Sequence, residues 1–242
     1  MATPPMLEVR DVVKAYGGVR AIDGLTLAVQ KGELHSVIGP NGAGKSTFFK
    51  LLMGTERPTE GTVLFGGVDI TRLASFQRAR LGITAKFQNV PIYQELTVGQ
   101  NLFIPLRRHH KPAAIPTQTE RLLSRLHLAG AADLQARSLS HGQQQWLAIG
   151  MALAAKPEVL LLDEPAAGMS PEETRDTGDI VKALHAEGAT IVVIEHDMAF
   201  IRQLEGTVSV LHYGRLLAQG PMDAIERNEQ VREIYLGTAA QH

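Results

Sequence analysis

An α/β fold built around a parallel sheet is predicted by three observations. A glycine-rich octapeptide, G-P-N-G-A-G-K-S at residues 39–46, sits between an apolar run, Leu34 to Ile38, and a helix-like stretch, Thr47 to Met53. From Glu158 onward, β-type runs alternate with helical stretches, the pattern of a parallel sheet packed between helices. Between these regions, residues 97–156 lack β-rich runs and read as helical.

In chain order, residues 7–38 read as short β segments separated by Gly17-Gly18 and Lys31-Gly32. Gly61 to Ile70 is a further β segment with a turn at Gly66-Gly67, and Ile83 to Phe87 is a strand ending at Gln88. The helical stretch is broken at 105–116 by Pro105, Pro112 and Pro116 around the basic run Arg107-Arg108-His109-His110-Lys111. That run has the charge to touch phosphates or a membrane surface, but such a run is more often a solvated loop. Val159 to Asp163 is a strand, Pro171 to Glu187 a helix and Thr190 to Glu195 a strand. Thr207 to Ala218 is a hairpin turning at Tyr213-Gly214, and the tail from Asp223 to Leu236 is helical. The block at about 90–157 is thus an insertion into an α/β core. The absence of an internal repeat makes residues 1–242 a single unit.

Composition narrows the function classes. With 242 residues there is room for a sizeable core, and 44% hydrophobic against 20% charged residues is ordinary for a globular chain. The formal net charge of −1 lacks the basic footprint of a nucleic-acid binder. No cysteine is present, which excludes disulfides and thiolate metal sites and fits a reducing compartment. The start, Met1-Ala2-Thr3-Pro4-Pro5, has neither the basic nor the apolar region of a secretory signal. Apolar runs such as Val159 to Leu162 fall far short of the ~20 residues a membrane span needs. A soluble chain is expected, any membrane role coming through a partner.

The octapeptide fits G-x-x-x-x-G-K-[S/T]. A turn of this composition between strand and helix can fold its backbone N–H groups around a phosphate chain, and the helix N-terminus adds partial positive charge. Gly39, Pro40, Asn41, Gly42, Ala43, Gly44, Lys45, Ser46 and Thr47 are therefore candidate nucleotide contacts. Lys45 is placed to reach the β- and γ-phosphates and Ser46 to ligate Mg²⁺. The run V-L-L-L-D-E at 159–164 delivers two acids at the end of an apolar strand, where α/β sheets place ligands. Asp163 suits Mg²⁺, and Glu164 suits a base that polarises an attacking water, which argues for hydrolysis of ATP beyond binding. Residues 139–143, L-S-H-G-Q, hold Ser140 and Gln143 at capping-box spacing, which by itself predicts no more than a well-capped helix.

Together these segments resemble the ATP-binding cassette (ABC) family, over nearly the whole chain. The family's signature segment is L-S-G-G-Q, and here His141 replaces its first glycine. The resemblance implies a P-loop ATPase core with an N-terminal antiparallel β subdomain and an inserted helical subdomain. It implies that Ser140, Gly142 and Gln143 meet the nucleotide bound by the opposite cassette of a dimer. It also implies that Tyr16 stacks on adenine, though a half-buried strand tyrosine reads the same way. Gln88 stands at the place of a glutamine that senses Mg²⁺ and the membrane partner, with a dock near Gln88 to Leu96. His196, in I-E-H-D-M, stands at the place of a histidine that contacts the γ-phosphate. Ser170 replaces an aspartate common in the family and opens S-P-E-E, another capping-box pattern.

Further stretches are similar to one subgroup, the cassettes of importers for branched-chain amino acids and for urea or short amides. These are A-K-F-Q at 85–88, D-E-P-A-A-G-M at 163–169, I-E-H-D-M at 194–198 and the terminal Tyr235-Leu236-Gly237. K-F-Q and S-H-G-Q lean toward the urea and amide members. The expectation is an ATPase subunit, peripheral on the cytoplasmic face of the membrane, working with a second cassette, membrane permease subunits and a separate solute-binding protein. The alternative is a soluble ABC ATPase of DNA repair or translation. Such a protein would normally show two cassettes, a coiled-coil insert, zinc cysteines or a basic surface.

Overall fold

The computed structural model of the protein describes residues 3–86 and 92–239, with the backbone alone for 236–239. The first strands are β1 (Leu7–Tyr16), β2 (Val19–Val29) and β3 (Leu34–Ile38), followed by helix α1 (Lys45–Met53). Then come β4 (Glu60–Phe65), β5 (Val68–Asp69), α2 (Ser75–Leu81) and β6 (Ile83–Lys86). Three helices follow: α3 (Val98–Leu106), α4 (Ile115–Arg125) and α5 (His141–Ala154). The chain continues through β7 (Val159–Asp163), α6 (Pro171–Ala186), β8 (Thr190–Ile194) and α7 (Met198–Leu204). It closes with β9 (Thr207–His212), β10 (Arg215–Pro221), α8 (Met222–Arg227) and α9 (Glu229–Ala239).

Two sheets result. One is antiparallel, in the order β2-β1-β4-β5, with Leu7 facing Val29 on one side and Phe65 on the other. The second runs β10-β9-β3-β8-β7-β6, parallel from β9 to β6, with β10 antiparallel at its edge. Its central strands β3 and β8 are buried at every residue, as a strand covered on both faces must be.

Helix α1 fills the space between the two sheets. Phe48, Phe49, Leu51 and Leu52 pack against Val37, Leu161, Val192 and Ile194 on one side and Leu25, Leu27 and Val63 on the other. The opposite face, through Leu160, Leu162, Ile191, Val193, Val208 and Val210, is covered by residues such as Leu102, Trp146, Ile149, Ile180 and Leu184. Each fully buried side chain of this size contributes about 1.5–3 kcal/mol. The C-terminus of α1 is held by Arg78 of α2, a fully buried residue. Its guanidinium donates to the carbonyls of Leu51 (2.5 Å), Leu52 (2.9 Å), Thr71 (3.2 Å) and Leu73 (3.2 Å). Burial lowers its pKa to about 10.

The predicted α/β order is observed, with differences in detail. The helical stretch is three helices, and Pro105 lies within the last turn of α3 rather than in the break. The helical tail is two helices that meet at Asn228. The two-turn helices α2 and α7 were not anticipated. Each is seven residues, too short for an apolar stripe to declare a period.

Candidate nucleotide site

Parallel pairing in the order β3-β8-β7 brings three carboxyl ends side by side, although they lie far apart in sequence. After β3 comes the loop 39–44, after β7 the Asp163-Glu164 pair, and after β8 the Glu195-His196 pair. This is the crevice where open α/β sheets bind ligands.

The loop is fixed from behind. Gly44 has φ 102° and lies against β2, so that a Cβ there would stand 2.5 Å from the Ala21 carbonyl oxygen. A Cβ at Gly39 would come within 2.3 Å of the Leu211 carbonyl oxygen. The Gly214 N–H donates to Ala43 O (2.9 Å), tying the loop to the β9–β10 turn. Helices α3, α5, α6 and α7 each have a side-chain N-cap, whereas α1 begins at Gly44 with none. The first N–H groups of a helix have no carbonyl one turn back, so Lys45, Ser46 and Thr47 present donors toward the loop. Together with the dipole, this makes an anion site. Lys45 is buried, and its ammonium donates to Gly39 O (2.5 Å) and Pro40 O (3.1 Å). Burial pushes its pKa down, against the pull of Glu164, Glu195 and Asp163. Ser46 is exposed at the mouth, while Asn41 and Gly42 are exposed on the loop.

The acids are organised by residues that sequence reasoning missed. Glu164 has a left-handed backbone, φ 44°, and its N–H donates to Ile194 O (2.8 Å). Its carboxylate lies 3.4 Å from His196 Nδ1. Glu195 is buried; one oxygen accepts from Ala166 N (3.2 Å), the other from His196 N (2.9 Å) and Asp197 N (3.4 Å). It thereby braces the turns that carry Glu164 and His196. Lys86, fully buried at the end of β6, donates to Asp163 O (3.3 Å) and Glu164 O (3.2 Å). Burial lowers its pKa to about 8, opposed by Asp163, Glu195 and Glu164. Burial raises the pKa of Asp163, as does neighbouring Glu164. Lys86 and Glu195 stand inside the stretches A-K-F-Q and I-E-H-D-M, but their burial and bracing contacts depend on distant segments that sequence alone does not bring together.

Ser140, Gly142 and Gln143 stand at the start of α5. Ser140 Oγ accepts from Gln143 N (3.2 Å), while Gln143 Oε1 accepts from Ser140 N (3.0 Å), the reciprocal box the spacing predicts. His141 Nε2 lies 3.1 Å from Ala167 O, which links this turn to the stretch that follows Glu164. Ser170 caps α6 in the same reciprocal way with Glu173. Tyr16 is half exposed at the end of β1, with Lys14 Nζ 4.8 Å from its ring centre. Gln88 lies outside the described residues, as does Pro91.

A family profile described as ABC transporter matches residues 22–167, which span both the phosphate loop and the acid pair. The chain belongs to the ABC transporter family. It is an ABC ATPase. A second profile, described as branched-chain amino acid ATP-binding cassette transporter, matches residues 215–241. The cassette is 35% identical over 252 aligned positions to the branched-chain amino acid transport ATP-binding protein BraF of Pseudomonas aeruginosa, covering 97% of this chain and 99% of that one. LivG of Escherichia coli K12, of the same description, gives the same identity and coverage. The methionine import ATP-binding protein MetN of Caulobacter vibrioides is 38% identical over 226 positions, covering 91% of this chain and 68% of MetN. Among solved structures, the ADP conformation of the cassette MJ1267 superposes with TM-score 0.86 at 30% identity, covering 97% of this chain and 100% of that one. A dimeric cassette, MJ0796 with ADP and phosphate, gives 0.80 at 26%, covering 90% and 99%.

Proposed function

We propose that this cassette binds MgATP on its phosphate loop, hydrolyses it between two copies, and drives an importer of hydrophobic amino acids. The observation that carries the chemistry is the convergence of Lys45, Asp163, Glu164 and His196 at the carboxyl end of one sheet. Nucleotide phosphates fit the uncapped N-terminus of α1, where Lys45 neutralises them. Ser46 and Asp163, with Gln88, would hold Mg²⁺, which supplies charge neutralisation at the phosphates; an oxygen donor set this small suits a cation that keeps waters and phosphate oxygens.

Glu164 accepts a proton from the attacking water, and His196, beside its carboxylate, orients that water and the terminal phosphate. Tyr16 offers an aromatic face for adenine. Ser140, Gly142 and Gln143 receive the terminal phosphate bound by the opposite cassette; dimeric relatives support that arrangement. Residues 1–242 work as one nucleotide-binding domain, with 90–157 as its helical insert. The insert exposes Tyr93, Phe103, Ile104 and Leu134, an apolar surface suited to a permease at the cytoplasmic membrane face. A separate solute-binding protein completes the system. No described helix is long and apolar enough to cross a membrane.

Of the two solute classes suggested by sequence, the names of BraF and LivG support hydrophobic amino acids over urea. The same relatives disfavour a role in DNA repair or translation. Uptake of labelled leucine and of labelled urea, compared between wild type and Glu164→Gln at equal protein level, tests the assignment. Loss of leucine uptake alone is expected; loss of urea uptake alone would transfer the cassette to the amide branch, and unchanged uptake of both would remove both solutes.

A further inference from the structure

The capping boxes of α5 and α6 are joined by one carboxylate. Glu173 Oε2 accepts from Ser170 N (3.0 Å) within its own helix α6. Its other oxygen, Oε1, accepts from the Ser140 hydroxyl (2.9 Å) at the start of α5. The carboxyl group also lies against the backbone of Gly142: a Cβ built there would stand 2.6 Å from both Glu173 Cδ and Oε1. The Ser170 N–H foremost, then the Ser140 hydroxyl, hold the Glu173 pKa below the ordinary range, and the nearby Gly142 backbone acts in the same direction. Glycine at 142 is therefore what allows an anion onto this helix N-terminus, and in the single chain the anion is Glu173.

We propose that Glu173 is a seat-holder: its carboxylate occupies the position that the terminal phosphate of a second copy's ATP takes in the dimer, and must leave it when the dimer closes. This rests on the reading that Ser140 and Gly142 receive that phosphate. Proton count makes the two occupants exclusive. A serine hydroxyl has one hydrogen, and that of Ser140 is committed to Glu173 while its lone pair accepts from Gln143 N. A phosphate oxygen needs the same hydrogen. Carboxylate and phosphate are also like charges, so they repel at this distance. The contact keeps the seat filled and the α5 turn ordered in the monomer, and it sets the ATP concentration at which copies associate. Rotation of the Glu173 side chain frees the seat while Ser170 continues to cap α6.

The test uses Glu164→Gln as parent, so that bound ATP persists, and measures ATP-dependent dimers by sedimentation. Adding Glu173→Gln removes the charge and keeps a residue that completes a capping box. A closed dimer of two copies has two such seats, so the dimer is expected to form at about 25-fold lower protein concentration, about fivefold for each screened like-charge pair at contact. The gain should shrink at high salt. Binding of a fluorescent ATP analogue by dilute monomer should not change. Glu173→Ala, which empties the seat, should shift dimerisation in the same direction and covers the case in which the Gln variant misfolds. Gly142→Asp, which fixes a carboxylate in the seat, should abolish the dimer. If Gly142→Asp abolishes the dimer but Glu173→Gln leaves it unchanged or weaker, the seat-holder role is wrong and the phosphate seat stands. If Gly142→Asp dimerises like the parent, or the parent forms no dimer with ATP, the phosphate seat falls and Glu173's role with it.

Discussion

Replacing Lys86 by Met asks how the acid end of β7 is held in place. Two effects oppose each other in stability. The shift of Lys86 from 10.5 to about 8 shows that burial disfavours its ammonium, worth about 3 kcal/mol, and Met relieves that. Met also takes a charged donor from the carbonyls of Asp163 and Glu164, at about 1.5–3 kcal/mol each. The terms oppose and leave a net cost of about 0–3 kcal/mol, so the melting temperature should fall by no more than about 10 °C. Turnover should not survive as well. Glu164 sits in a left-handed backbone conformation that neighbours must enforce. Loss of the ammonium also removes one of two cations, with Lys45, that oppose the rise in the Asp163 pKa. A misplacement of about 1 Å costs about 10²-fold, so kcat should fall by that order while ATP binding persists. Steady-state ATPase assays with a melting curve on the same sample decide it. Wild-type kcat in a folded Lys86→Met protein would refute the positioning role.

Other outcomes follow from the same geometry. Between about pH 8 and 10.5 the unfolded chain keeps the Lys86 proton and the folded chain has lost it, so this group's contribution to stability rises with pH there. Wild type should gain on Lys86→Met by up to about 3 kcal/mol across that window in denaturant titrations; a constant difference would contradict the assigned burial. Arg78→Met strips charged donors from the C-terminal carbonyls of α1 and should cost about 2–4 kcal/mol of unfolding free energy, read as a lower denaturation midpoint. Gly44→Ala forces a side chain onto φ 102° and into the Ala21 carbonyl, so binding of a fluorescent ATP analogue should be lost; normal affinity would show that the loop can shift at no cost.

How much of this was legible in the sequence depends on whether the signal is local. The phosphate loop, the acids ending β7 and the hairpin at Tyr213-Gly214 are consecutive residues with consecutive consequences, and each stands where its composition places it. Ser140 and Ser170 announce helix starts through capping boxes, and both boxes form. What was not legible is tertiary. Arg78, Lys86 and Glu195 are charged residues whose burial the sequence does not reveal, and all three are buried where carbonyls or N–H groups converge on them. Glu173 was visible as half of a capping box, but its reach across to Ser140 depends on how α5 and α6 pack. His141, a departure from the signature, gains a physical account in its contact with Ala167 O.

The central claim is that Glu164 serves as base in an ATPase whose phosphate site is the loop 39–46. The direct measurement is ATP binding and MgATP turnover of Glu164→Gln against wild type, on protein of matched melting temperature. Retained binding with turnover reduced about 10²–10⁴-fold is the predicted result. Turnover like wild type in the variant, or no ATP bound by wild type, would contradict the account.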